Sequence, residues 1–168
     1  FGIHEEHSHR LMGSLVGLLT LILAVWLWRV ETTGKYRKLI LSIVFLGPCI
    51  MVLMVLTGIQ SETLMIIAAG VAGAVAVFSF ANILKNWCAM HWWGTLALCM
   101  VTVLGVLGGL RVVKVDDRIG IFHGTLAQLL LAVLACIALF TSSWWQSRRT
   151  ADDPKDLVPR PVRLYFLT

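Results

Sequence analysis

Five stretches of this chain, at about 11–29, 39–59, 64–84, 93–113 and 119–141, are long, apolar and almost free of charge. Each is close to the ~20 residues that a helix needs to cross the hydrocarbon core of a bilayer. Water is absent there, so every spanning backbone N–H and C=O must be satisfied internally, which a helix does segment by segment. A chain that is 58% hydrophobic and 14% charged is not an ordinary soluble domain. The expected fold is an all-α membrane protein, with about five transmembrane helices in one bundle over residues 1–146. A polar tail over 147–168 follows, and Pro154, Pro159 and Pro161 mark it as extended. Its last residues, Leu164 to Leu167, are apolar enough to touch a partner or the bilayer.

The net charge of +5 does not point to nucleic acid, because the basic residues gather at span ends. Arg29, Lys35, Arg37 and Lys38 lie between the first two spans, and Lys85 follows the third. Arg148, Arg149, Lys155, Arg160 and Arg163 follow the fifth. The N-terminus carries Glu5 and Glu6, and the second connection is only Gln60-Ser61-Glu62-Thr63. The positive-inside rule then places the N-terminus outside and the C-terminus in the cytoplasm, or in the matrix of a mitochondrion. The 110–118 connection runs against the rule, since Arg111, Lys114 and Arg118 would face outside, partly balanced by Asp116 and Asp117. The seven tryptophans fall near span ends and read as an interfacial belt. The four cysteines (Cys49, Cys88, Cys99, Cys136) form no CxxC and read as structural. The chain begins at Phe1 without a signal-peptide pattern, which fits a processed, truncated or partial sequence.

Two histidines stand out against this background. His9 lies in Glu5-Glu6-His7-Ser8-His9-Arg10 just ahead of the first span, and His123 lies one turn into the fifth. Ionisable residues within spans are costly and usually functional. The topology, drawn without reference to the histidines, puts both near the outer face. Two imidazoles at like depth on different helices can hold one metal, and a haem iron is the leading candidate. Small residues accompany both. Gly13 and Gly17 continue the helical line of His9, while Gly120 and Gly124 flank His123. Gly105, Gly108 and Gly109 sit in the fourth span. Such residues let helices pack closely, and they also leave room for a flat macrocycle. Arg10, Arg111, Lys114 and Arg118 are placed to pair with haem propionates, or to act as interface anchors.

Other readings stay open at each position. His9 can be an interfacial cap and His123 a hydrogen-bonded core residue. Glu6 precedes His9 by one helical turn and can act as a proton acceptor beside a bound ring, or simply complement the helix dipole. His4, His7 and His9 do not share one helical face, which argues against a copper or zinc site. His91 lies at the opposite membrane face and reads as interfacial. Gly47-Pro48 should kink the second span, and the small-residue-rich third span, around Gly70 and Gly73, is expected to be buried in the bundle.

The stretch from Glu6 to Leu18, Glu-His-Ser-His-Arg-Leu-Met-Gly-Ser-Leu-Val-Gly-Leu, resembles the second helix of haem A synthase family proteins, whose mark is E-x-x-H-R followed by small residues. Val106-Leu107-Gly108-Gly109-Leu110-Arg111-Val112 resembles the end of that family's third helix, and Ile119 to Gln128 its fourth, with the histidine at His123. The resemblance covers about 60 residues. It implies a haem between His9 and His123, Glu6 as the catalytic acid, and oxidation of the methyl group of haem O to the formyl group of haem A. Arg10, Gly13, Gly17, Arg111 and Gly124 would line the cofactor, haem B or haem O. The chain departs from the pattern in lacking the family's first helix, its outer-loop cysteine pair and its second half. Spans two and three look like an inserted hairpin, which preserves the sidedness of the histidines. Such a half-length chain would work as a homodimer, with a second half-protein, or in a larger respiratory complex. Other expectations are a b-type cytochrome subunit of a respiratory or photosynthetic complex, which needs the histidines but not Glu6, and a structural subunit with no cofactor.

Overall fold

A computed structural model of the chain describes residues 3–31, 45–46, 48–49, 62–114 and 117–152, with side chains for all of these except 3–7, 10, 62, 111–114, 117 and 148–152. Helices run over Ile3–Glu31 (α1), Glu62–Lys85 (α2), Met90–Lys114 (α3), Asp117–Thr141 (α4) and Ser143–Asp152 (α5). The first four are long and apolar enough to cross a membrane, so the chain is an all-α integral membrane protein. The expected second span, with its Gly47-Pro48 kink, lies outside the described residues apart from Phe45, Leu46, Pro48 and Cys49. α1 starts at Ile3, ahead of its membrane-crossing part at Leu11–Glu31, so Glu6 and His9 stand on the helix as the sequence reading had them. One boundary differs from that reading. Residues 147–152 continue α5 instead of opening an extended tail, since no proline interrupts the chain before Pro154.

The bundle is built around α3. Half of its most apolar stretch is buried, against 22%, 17% and 11% for α1, α2 and α4. α3 packs against each of these, while among the described residues α1, α2 and α4 never bring Cα atoms within 8 Å of one another. The third expected span, now α2, is therefore peripheral within the described residues, with Ile66, Ile67, Val77, Phe78 and Phe80 exposed. Its small residues permit close approach on one face only, where Met65, Ala68 and Ala72 are buried. Lipid is as apolar as the core, so the composition of α2 does not reveal which face is inside.

α2 and α3 are joined by a tight turn. Asn86 N–H donates to Asn82 O at 2.9 Å and closes α2, the Asn86 side chain accepts from Cys88 N–H at 3.3 Å, and Ala89 N–H donates to Asn86 O at 3.1 Å. An asparagine side chain bonding the backbone two residues on is a recurrent turn device. The result is an antiparallel pair in which Met65, at the start of α2, lies beside Gly109 near the end of α3, with Cε 3.6 Å from where a Gly109 Cβ would be.

α1 is fastened to α3 at the other end. Gly94 lets the helices close up, because an added Cβ there would stand 2.9 Å from Leu27 Cδ1 and 3.3 Å from Ala24 Cα. Trp28, expected in the interfacial belt, is instead buried, and its indole N–H donates to Thr95 Oγ1 at 2.7 Å. The Thr95 hydroxyl in turn donates to His91 O at 2.8 Å. A buried indole needs such a partner. Glu31, the last residue of α1, accepts from Met90 N–H at 3.2 Å and His91 N–H at 2.7 Å, satisfying two of the orphan donors at the start of α3. Glu31 and Glu62 thus lie at opposite ends of the bundle.

Candidate functional site

The end of the bundle away from Glu31 holds the two histidines. His9 is carried on α1, two turns from the helix start, and is exposed. His123 sits on α4 and is partly buried. The backbones of α1 and α4 stay more than 8 Å apart at Cα throughout their described lengths, yet the two imidazole centroids approach to 6.2 Å with planes inclined at 62°. The two side chains therefore bridge the distance between the helix backbones. A metal bound by two imidazoles at about 2 Å each, from opposite sides, would place the ring centres about 6 Å apart. The observed spacing fits that arrangement.

The His123 ring is not tied up by the protein through Nδ1, which is buried and has no hydrogen-bond partner. Such an orphan is unusual, since a buried polar group without a partner costs about 1–3 kcal/mol. Among the described residues no three His, Cys, Asp or Glu side chains converge to hold a metal. A two-histidine set suits a metal whose other donors come from a macrocycle better than zinc, which takes three or four protein ligands. The side chains of His4 and His7 lie outside the described residues.

The glycines divide by what they face. A Cβ on Gly13 or Gly124 would meet nothing within 4 Å, so among the described residues neither serves helix packing, and both border open space near the histidines. Gly17 faces α3 instead, where an added Cβ would touch Val101 Cγ1 at 3.9 Å. Gly108, noted in the sequence among the small residues of its span and in the segment that resembles the haem A synthase third helix, lies directly beside His123. A Cβ there would be 3.6 Å from His123 Cε1 and 4.0 Å from Nδ1. The adjacent Gly109 faces Met65 of α2, so the glycine pair gives α3 clearance on two sides at once.

The side chains of Glu6, Arg10, Arg111 and Lys114 lie outside the described residues, although their backbones are helical. Glu6 stands three residues before His9 on α1 and Arg10 directly follows it. Arg118 is exposed at the start of α4, at the same end as the histidines.

The opposite end holds an ionisable pair that sequence reasoning half missed. His91 Nδ1 lies 3.0 Å from Glu31 Oε2, both side chains being largely buried at 14% and 17% exposure. The contact is an ion pair by distance, but it is too poorly aligned to satisfy Nδ1 as a hydrogen bond. His91 also packs against Trp28 and Trp92, at 4.8 and 5.0 Å between centroids. Glu31 escaped notice because it reads as a polar residue ending a span. The available signal was its sign, since an acid in the last turn of a helix opposes the dipole and calls for a partner elsewhere.

No family model, no curated protein and no solved structure matches this chain.

Proposed function

We propose that this chain is a membrane haem protein, with His9 and His123 as the residues that would hold the iron, one from each of two helices. The observation that carries the proposal is the 6.2 Å approach of the two imidazoles from α1 and α4, whose described backbones stay more than 8 Å apart at Cα. Gly108 gives His123 its clearance, and the open flanks of Gly13 and Gly124 leave room for a flat ring. Arg10, Arg111, Lys114 and Arg118 supply positive charge at that end for carboxylate side chains of the ligand.

The chemistry follows from the resemblance to haem A synthases. We take the reaction to be the four-electron oxidation of the methyl group of haem O to the formyl of haem A, in which water supplies the oxygen atom, four protons are released and an external electron acceptor takes the four electrons. Bound haem iron supplies the capacity to exchange electrons. The chain's own part would be to hold the group through His9 and His123 and to accept protons at the Glu6 carboxylate, one turn before His9. The chain would act as a homodimer, beside a partner protein, or within a respiratory complex of a bacterial or mitochondrial inner membrane, with the histidine end outside.

A reduced-minus-oxidised spectrum of the purified protein, with acid extraction and typing of the pigment, tests this directly. A six-coordinate low-spin signal is expected, with haem O or haem A in the extract. Replacing either His9 or His123 with alanine should abolish the low-spin form. A folded protein without haem would overturn the proposal. A Glu6→Ala variant should retain low-spin haem and lose conversion of haem O. If it keeps both, the chain is a b-type electron carrier and not a synthase.

A further inference from the structure

At Ser142 the spanning helix α4 gives way to α5. The Ser142 hydroxyl donates to Leu139 O at 2.6 Å and accepts from Trp145 N–H at 3.3 Å, which ends one helix and caps the next. α5 has ten residues, too few to cross a bilayer. It is polar but opens on two tryptophans. Trp145 packs on Phe140 at 5.4 Å, and Phe140 meets Trp87 and Trp93 at 5.7 and 5.6 Å. This aromatic cluster fixes the start of α5 at the end of the bundle opposite the histidines. Trp144 is left 56% exposed.

Helical register places Arg148 one turn beyond Trp144 and Arg149 one turn beyond Trp145, on the same two lines. Each line therefore carries an amphipathic ring and then a cation. Arg29 and Lys85, both exposed, end α1 and α2 at this same end. Two acids are described at this end: Glu31, engaged by Met90, His91 and the His91 ring, and Asp152, which ends α5 one turn beyond the arginines. By sequence position, ten of the fourteen lysines and arginines belong to this end or to the segments attached to it.

We infer that α5 lies along the membrane surface and binds the phosphate headgroups of anionic lipids. Trp144 sits at the boundary of acyl chains and headgroups, and Arg148 and Arg149 meet the phosphates. An indole adjoining the end of a spanning helix is at the depth where tryptophan is favoured, and a basic, tryptophan-bearing polar helix suits that plane. An acidic soluble protein would answer the charge but would leave Trp144 without its apolar surroundings.

The test uses the full chain in detergent, incubated with equal amounts of phosphatidylglycerol and phosphatidylcholine, with retained lipid counted by native mass spectrometry. Wild type should retain the anionic lipid preferentially, by about fivefold for each arginine engaged. R148Q/R149Q should lose the share of that preference owed to the two arginines, about fivefold for each. R148K/R149K should keep the preference, which separates charge from folding. Equal retention of the two lipids by wild type, or an undiminished preference in R148Q/R149Q, would overturn the inference. So would a wild-type preference for a polyglutamate peptide over phosphatidylglycerol vesicles, which would make α5 a protein-docking surface.

Discussion

A methyl group on Gly108 would lie 3.6 Å from His123 Cε1, which is ordinary contact, whereas a branched side chain would reach into the ring. Gly108→Ala is therefore expected to preserve the low-spin haem spectrum. Gly108→Val should displace the imidazole, at an overpacking cost of about 1–3 kcal/mol, and shift the spectrum towards a high-spin, five-coordinate form. Glu31 offers a second test of single-residue reasoning, independent of any cofactor. Its carboxylate accepts two backbone N–H groups at the start of α3, so Glu31→Ala removes a cap supplied by a different helix. The loss should be about 1–2 kcal/mol, seen as a lower thermal midpoint in detergent, and Glu31→Gln, which keeps one acceptor oxygen, should lose less. The histidines were legible because an ionisable group among apolar residues is anomalous at first sight. Glu31 was not, because its partners are backbone N–H groups 59 and 60 residues away, and backbone donors leave no mark in a sequence.

At the scale of the helix, glycines that look alike in sequence have opposite duties. Gly94 faces Ala24 and Leu27 of α1 so closely that even a methyl group would stand 3.3 Å from Ala24 Cα, a backbone atom that cannot swing aside. Gly13 and Gly124 face open space. Gly94→Val should separate α1 from α3 and lower the thermal midpoint of the protein prepared without haem. Gly13→Leu and Gly124→Leu should leave that midpoint within error and reduce haem occupancy on reconstitution, read as absorbance per protein. Equal loss of stability at all three positions would mean that Gly13 and Gly124 serve helix packing and not a cofactor slot. Sequence could mark these glycines but not sort them, since a GxxxG line identifies a face and not its neighbour. The same limit explains α2, which is apolar all round, with buried Met65, Ala68 and Ala72 on one line and exposed Ile66, Val77 and Phe80 on others. Helix length was easier to read, because bilayer thickness sets it, and α2, α3 and α4 begin and end within three residues of the expected spans; of the five spans expected, the second lies almost wholly outside the described residues.

For the whole molecule the decisive property is sidedness. α1 ends beside the start of α3, through Glu31 and the Trp28–Thr95 bond. α2 returns to that same end at Lys85 and turns into α3 within four residues. α3 then runs back to Gly108 and Gly109, beside His123 and Met65. The geometry fixes Ser8 and Arg118 at one end of the bundle and Lys85 and Trp144 at the other, all four side chains being exposed. Charge distribution pointed the same way from sequence alone, although it could not show that the backbones of α1 and α4 stay apart, because that separation depends on α3 packing against both helices. Single cysteines at these four positions, in a background with Cys49, Cys88, Cys99 and Cys136 replaced, allow labelling by a membrane-impermeant maleimide in intact cells and in inverted vesicles. Residues 8 and 118 should label from one side and residues 85 and 144 from the other. Labelling of 8 and 118 from opposite sides would place His9 and His123 at different membrane faces, so that no single haem could bridge them. Agreement would put His9 and His123 at one membrane face, as a single haem held by both requires.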